Sequence, residues 1–450
     1  MNYSFWADEA YISSIAMQLL TGRISLSSAL NSPGIVYQKL QMLTVALFFR
    51  LFGISEMTAR LPSLIAFFIG IIVIFFLAKK LSNIYGGLLS AFLYAFSHLN
   101  LAYATQAKPY AAIETILLII LYLLTNKKTN HLLIIFLCII ATLLHSIGIF
   151  LWILYGIYLL LKIKKTNTFI ILLTFALGLI FAYPMILSFI KAGQTFPYNH
   201  LYQSIKLFTY KYSFISLSAF FGFIWSFKKN KTISIALLIY SLVVFIMATF
   251  QQYIFNIRYV LFLFGVLFLY FGIFWAEVGE KYRKNFQFEI FNFQFNGLSV
   301  VTFLVMTFFI ITQYKVAILP RPYYNPNIDK YGDVQIANYK DFYSQLKKRF
   351  PNYKKLYVIN DTRDAEDWYF GRYSNTYFMK FTPKSSLNDF KKVIKDHPQG
   401  LLIMEDWESF LPEDIKQYAK KNLKLELRVE SLRETPDDPW PLALYSWGIN

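Results

Sequence analysis

A chain of 450 residues that is 56% hydrophobic, 19% aromatic and only 16% charged, with a mean hydropathy of +0.43, is too apolar for an ordinary water-soluble enzyme. Its formal charge of +18 does not mark a nucleic-acid binder, because the excess lies in the hydrophobic part. Residues 320–450 hold 21 Lys/Arg and 19 Asp/Glu, leaving 23 basic and seven acidic residues before them. Lys/Arg excess between apolar runs is the mark of cytoplasmic loops. The one cysteine, Cys138, sits in an apolar run, so neither an intrachain disulfide nor a cysteine-based zinc site is available.

In chain order, residues 1–59 contain no convincing membrane span. The stretch 36–53 is apolar but carries Lys39 and Arg50, which suits a helix lying in the interface better than one crossing it. Runs of crossing length follow at about 60–81, 86–106, 109–125, 129–147, 148–163, 168–190, 207–227, 232–250, 257–275 and 298–319. Basic residues fall in every second connection: Lys79/Lys80, Lys127/Lys128, Lys162/Lys164/Lys165, Lys228/Lys229/Lys231 and Lys281/Arg283/Lys284. These mark the cytoplasmic side, so ten spans leave both the N-terminal segment and the C-terminal part outside.

Beyond about residue 325 the pattern changes. Residues 355–361, 400–406 and 442–448 read as strands, and 341–350, 387–396 and 412–422 as amphipathic helices. Their alternation predicts a small α/β domain with a largely parallel sheet. No glycine-rich phosphate loop follows any of these strands. The expected fold class is a polytopic α-helical membrane protein of the cell (inner or plasma) membrane, with a small extracytoplasmic α/β domain. An outer-face loop and juxtamembrane helices would occupy 1–59, the transmembrane domain 60–319 and the α/β domain 320–450.

The acidic residues before position 320 are Asp8, Glu9, Glu56, Glu114, Glu277, Glu280 and Glu289. The last three fall in or beside a cytoplasmic loop and read as solvated. Asp8 and Glu9 stand together in WADEAY (6–11) on the outer face, flanked by Trp6 and Tyr11. Paired carboxylates in an aromatic setting suit general-base work; the plainer reading is an acidic turn with Asp8 capping a helix. QAKPY (106–110) puts Lys108 and Tyr110 at an outer helix end, and Arg258-Tyr259 opens another helix on that side. Cations there oppose the positive-inside trend; phosphate binding is one reason for them, interfacial snorkelling another. Glu114, inside an apolar helix, needs a partner or a polar cavity, and Lys108 is a candidate partner. His145, in LLHSIG (143–148), is equally a structural or a catalytic histidine. No His/Asp/Glu cluster has metal-ligand spacing, so neither a metal nor any other cofactor is implied.

The order of WADEAY (6–11), NSPGIVYQKLQ (31–41), FGISEMTARLPS (52–63), YATQAKPYA (103–111), LLHSIG (143–148) and IRYVLFLF (257–264) resembles the GT-C glycosyltransferases of the dolichyl-phosphate-mannose–protein mannosyltransferase superfamily, close to its aminoarabinose-transferase-like and RgtA-like bacterial members. The resemblance covers residues 1–320. It implies a GT-C-like fold and transfer of a sugar from a polyprenyl-phosphate donor to a glycan, lipid or protein acceptor at the outer face, with inversion. By the same resemblance Asp8 is the general base and Glu9 assists or orients it. Lys108 and Arg258 hold the lipid phosphate, and Tyr103, Gln106, Tyr110, His145 and Tyr259 contact the substrate. Arg60 is assigned a structural role through Glu56, four residues before it.

The sequence departs from the family pattern in three ways. The usual arginine before Pro-Tyr is Lys108, which lacks the bidentate fork. The residues flanking His145 are Leu144 and Ser146 in place of threonine and tyrosine. The helix that normally precedes the acidic loop is missing, so the coding frame is expected to extend upstream of Met1, with an apolar groove beside the helices nearest WADEAY. Two competing readings are a transporter or flippase of lipid-linked sugars, which would place ionisable residues near the bilayer midplane, and an inactive relative acting as a cell-envelope binding protein.

Overall fold

The computed structural model describes residues 5, 7–32, 35, 38–192, 201–250, 260–281, 287–290, 293–317, 338–362, 365–370, 386–405, 411–430 and 441–449. The chain opens with α1 (Ala7–Leu20), α2 (Leu26–Leu30) and α3 (Lys39–Phe52). α3 buries Met42, Val45, Ala46 and Phe49, which recur at helical spacing, and packs that face on α1. It stops at Gly53, whose φ of 83° is a left-handed conformation that side chains with a Cβ avoid. Ser55 then caps α4 (Glu56–Leu81) by accepting the Thr58 N–H.

The helices that follow overlap the intervals read from hydropathy, with ends that differ by up to six residues, except α11, which lies between two of them. They are α5 (Ile84–Phe96), α6 (His98–Ala104), α7 (Tyr110–Leu124), α8 (His131–Leu144), α9 (Ile149–Leu161), α10 (Thr168–Ala192), α11 (Leu201–Lys206), α12 (Ser213–Lys229), α13 (Lys231–Phe250), α14 (Leu261–Lys281) and α15 (Gly297–Ala317). The interval 86–106 is broken at Ser97, which ends α5 and caps α6. A π-helical turn at Leu207–Lys211 joins α11 to α12. Among the described residues, three helices are both long and apolar enough to cross a membrane: Glu56–Leu81, Lys231–Thr249 and Leu261–Lys281. α14 is the axis of the bundle, packed by α12, α5 and α4. Its approach to α12 is close enough that a Cβ at Gly222 would collide with the Tyr270 carbonyl oxygen. Outward faces carry Phe68, Ile72 and Phe76 on α4 and Leu172, Leu179 and Ile180 on α10, all exposed. Such continuous apolar faces belong in lipid, and the chain is a helical membrane protein.

Two contacts join the basic clusters to one another. Lys80 Nζ donates to Asn126 Oδ1 at 2.6 Å, beside Lys127 and Lys128, and Lys229 Nζ reaches Glu277 Oε1 at 2.5 Å. Glu277, expected to be simply solvated, is therefore an ion-pair partner.

Two short strands, β1 (Gln287–Ile290) and β2 (Phe293–Asn296), form a hairpin before α15. The C-terminal segment contains α16 (Tyr339–Arg349), β3 (Tyr357–Asn360), α17 (Ala365–Tyr369), α18 (Leu387–Asp396), β4 (Gly400–Glu405), α19 (Glu413–Asn422), β5 (Lys424–Val429) and β6 (Leu442–Trp447). The sheet order is β3-β4-β6-β5. Only β3–β4 is parallel; β4–β6 and β5–β6 are antiparallel, which corrects the largely parallel sheet expected from the sequence. The missed strand is β5: Lys424, Glu426 and Arg428 alternate with apolar residues at the sheet edge, so it lacks the apolar run that marks β4 and β6. β4 is buried along its whole length because both faces are covered. Leu402 and Met404 pack with Phe390 and Ile415, while Leu401 and Ile403 join one apolar cluster with Phe5, Met42 and Val45 of the N-terminal segment.

Candidate active site

The site is built where α1 meets the entry of α4 and the turn between α6 and α7. The first turn of α1 contains Asp8 and Glu9; because the helix starts at Ala7, Asp8 lies inside it and not at its cap. Glu9 is buried, and Arg60, one turn into α4, is fully buried against it. Arg60 Nε donates to Glu9 Oε1 at 3.1 Å and Nη2 to Oε2 at 3.4 Å. The backbone N–H of Ala107 donates to Oε1 at 2.7 Å. A buried carboxylate needs this many donors to offset the loss of hydration. Arg60 also lies over the Phe5 ring, 4.9 Å from its centroid.

This arrangement corrects the expected Glu56–Arg60 partnership. Helical spacing favours i,i+4 pairing, but Glu56 is drawn away by Tyr369, whose hydroxyl donates to Oε1 at 2.5 Å, and by Lys340 Nζ, 3.0 Å from Oε2. Arg60 turns inward and pairs with Glu9. The sequence carries a partial signal for this: an arginine buried at a helix entry demands an acid, but three acids were eligible.

The turn that receives Glu9 carries Gln106 and Lys108, both buried, and is tied to α4 by Ser63 Oγ, which donates to the Lys108 carbonyl at 2.7 Å. Tyr103 and Tyr110 flank the turn, their rings edge to face at 5.3 Å. Tyr110 in turn lies 5.6 Å from the His145 ring. His145 Nδ1 accepts the Ile147 N–H at 3.1 Å, so a neutral ring carries its proton on Nε2. The structure thus gathers Glu9, Tyr103, Gln106, Lys108, Tyr110 and His145, with Asp8 in the same helical turn as Glu9. The Asp8 side chain, Arg258 and Tyr259 lie outside the described residues.

Glu114 does not pair with Lys108. Among the described residues its Oε1 has no hydrogen-bond partner, and it packs where a Cβ on Gly265 would stand 3.0 Å away. Residues that sequence reasoning missed include Ser63, the Ala107 amide, Phe5, Trp368 and Tyr369; the last two come from the far end of the chain and no local pattern points to them.

The comparisons agree with this architecture. Residues 40–187 match the family model of dolichyl-phosphate-mannose-protein mannosyltransferase. ArnT from Cupriavidus metallidurans in the apo state superposes with a TM-score of 0.58 at 10% identity, covering 99% of this chain and 94% of that one. The chain shares the fold of that structure, and its residues 40–187 resemble the mannosyltransferase family. ArnT bound to undecaprenyl phosphate gives a TM-score of 0.56, with the same identity and coverage. The Archaeoglobus fulgidus oligosaccharyltransferase in its apo form gives 0.55 at 9% identity, over 90% of this chain and 66% of that longer one. At these identities the GT-C likeness is one of fold. No curated protein matches the chain in sequence.

Proposed function

We propose that this protein is a membrane glycosyltransferase that takes a sugar from a polyprenyl-phosphate donor and adds it to an acceptor hydroxyl on the extracytoplasmic face. The observation that carries the reading is the Glu9–Arg60–Ala107 tie. It holds the helical turn that contains Asp8 against the turn that carries Lys108, which supports the two acting together as base and phosphate-binding cation. Two GT-C proteins of this fold, ArnT and AglB, have been solved with undecaprenyl phosphate and dolichol-phosphate respectively, which supports a lipid phosphate as donor.

In this mechanism Asp8 accepts the acceptor's hydroxyl proton as its oxygen attacks the anomeric carbon. The bond from that carbon to the phosphate oxygen breaks on the opposite face, configuration inverts, and the lipid phosphate leaves with the electron pair. Lys108, with Arg258 from the start of the α14 region, holds the phosphate and offsets the charge growing on it. Tyr103, Gln106, Tyr110, His145 and Tyr259 orient sugar and phosphate, and Glu9 orients the base through its hold on Arg60. The helical bundle crosses the membrane ten times. Its basic ends, joined by the Lys80–Asn126 and Lys229–Glu277 contacts, face the cytoplasm, and the site and the C-terminal α/β segment face outward.

The test is a transfer assay on purified full-length protein with a panel of radiolabelled polyprenyl-phosphate sugars. Transfer from at least one donor, abolished by Asp8→Asn, is expected; no transfer from any lipid-linked sugar would overturn the reading.

A further inference from the structure

We propose that the C-terminal α/β segment latches the catalytic helix in place through Tyr369 and Trp368, which makes Tyr369 a positioning residue for the reaction proposed above. The inference rests on that reading for its catalytic consequence, though not for its structural one.

The latch is a closed path of contacts. The backbone N–H of Phe5, two residues before α1, donates to the Tyr369 hydroxyl at 2.6 Å, and that hydroxyl donates onward to Glu56 Oε1 at the first residue of α4. Glu56 is gripped from the same segment by Lys340. Burial first, and then the adjacent Glu56 carboxylate, raise the Tyr369 phenol well above its ordinary range, so it stays a donor throughout the physiological range. The Phe5 ring lies edge-on to Trp368 at 4.9 Å, with the Arg60 guanidinium 4.9 Å from its centroid. Trp368 also stacks on Phe49 of α3 at 5.9 Å. From Phe5 the path returns through Arg60 to Glu9, one residue from Asp8.

Tyr369 can bear this role because it is itself held. Its ring stacks on Tyr343 at 6.0 Å and on Tyr339 at 6.4 Å. The Tyr339 hydroxyl bonds to Glu405 at the end of β4, and the Tyr343 hydroxyl pairs with Thr362 just beyond β3. Lys347 Nζ donates to the Tyr369 carbonyl at 2.5 Å. The carboxyl ends of the two parallel strands are thus connected by rigid aromatic side chains to the start of α1. General-base catalysis is sensitive to the position of the base: a displacement of about 1 Å from a change remote from the chemistry can cost on the order of 100-fold in rate.

The experiment uses the full chain in lipid nanodiscs, with Tyr369→Phe, which removes only the hydroxyl, and Lys340→Gln at a half-exposed position where folding is not at risk. Hydrogen exchange of the peptide spanning residues 5–20, the donor KM and kcat, and the affinity for polyprenyl phosphate alone are measured. In Tyr369→Phe, exchange at the start of α1 is expected to rise about tenfold, the factor that one hydrogen bond represents, with exchange in α4 and β4 unchanged. kcat is expected to fall about 10- to 100-fold while polyprenyl-phosphate affinity stays at the wild-type value. Lys340→Gln gives a smaller change in the same direction. Wild-type exchange at α1 in Tyr369→Phe, or exchange that rises equally across α4 and the sheet, would overturn the latch. If the wild-type protein uses no polyprenyl-phosphate donor, the glycosyltransferase reading fails and the exchange measurement decides the latch by itself.

Discussion

Replacing Arg60 by methionine removes the cation that neutralises a buried carboxylate. Glu9 accepts Arg60 Nε–H at 3.1 Å, Nη2–H at 3.4 Å and the Ala107 N–H at 2.7 Å, with both side chains sealed from solvent. In Arg60→Met the carboxylate loses its cation and keeps the Ala107 N–H, and the cost of breaking a buried pair from one side is about 3–5 kcal/mol. Glu9→Gln removes the charge that faces the guanidinium, and its retained carbonyl acceptor places it at the lower end of that range. The double variant Arg60→Met/Glu9→Met buries no charge. It is expected to recover most of the loss, short of about 1–3 kcal/mol for the orphaned Ala107 N–H. The assay is unfolding of the full chain in mixed micelles, read as a double-mutant cycle with Asp8→Asn as a folded control. Arg60→Met costing under about 1 kcal/mol, or a double variant whose loss is the sum of the single ones, would show that the pair is not the buried anchor described here. The recovered double variant should still transfer sugar slowly, because stability returns without the tie that fixes Asp8's turn.

Two further outcomes follow from other parts of the molecule. Burial pushes the Glu426 carboxyl up, but Ser446 Oγ–H at 2.8 Å, Lys424 at 3.0 Å and Arg349 at 2.9 Å outweigh it and hold the carboxyl below its usual range. A carboxyl lowered by folding adds stability at neutral pH and loses it as pH falls from about 4.3 through the lower folded value. Glu426→Gln should therefore weaken the sheet at pH 7 and flatten its acid limb in pH-resolved hydrogen exchange. In the bundle, Glu114 spends a buried carboxyl whose Oε1 has no partner among the described residues. Glu114→Leu is expected to leave thermal stability unchanged or raise it by about 1 kcal/mol, and a loss beyond about 2 kcal/mol would reveal a ligand or ordered water there.

What was legible in the sequence follows from the range over which each signal acts. Helix positions in the bundle are a local signal, since apolar run length reports on them directly, and most of the observed helices overlap the expected intervals, α11 excepted. The turn carrying Gln106, Lys108 and Tyr110 was visible because a cation at a helix end that the charge pattern assigns to the outer side is unusual. Arg60 was misassigned because spacing along one helix outweighed a partner 51 positions away. The sheet was only partly read: β4 and β6 are buried throughout and mostly apolar, whereas the charged alternation of β5 resembles an exposed loop or helix face. The contacts of Trp368 and Tyr369 with Phe5 join opposite ends of the chain, and nothing in either local sequence announces the other.

The central claim is that the turn carrying Asp8 and Glu9 supplies the base for sugar transfer from a lipid phosphate. The most direct test measures product formation by purified wild-type and Asp8→Asn protein on a radiolabelled polyprenyl-phosphate sugar, with polyprenyl-phosphate binding measured in parallel. The account predicts transfer with inverted anomeric configuration by the wild type, and none by Asp8→Asn despite unchanged folding and lipid-phosphate affinity. Glu9→Gln should retain reduced activity. Near wild-type turnover by Asp8→Asn would contradict the account.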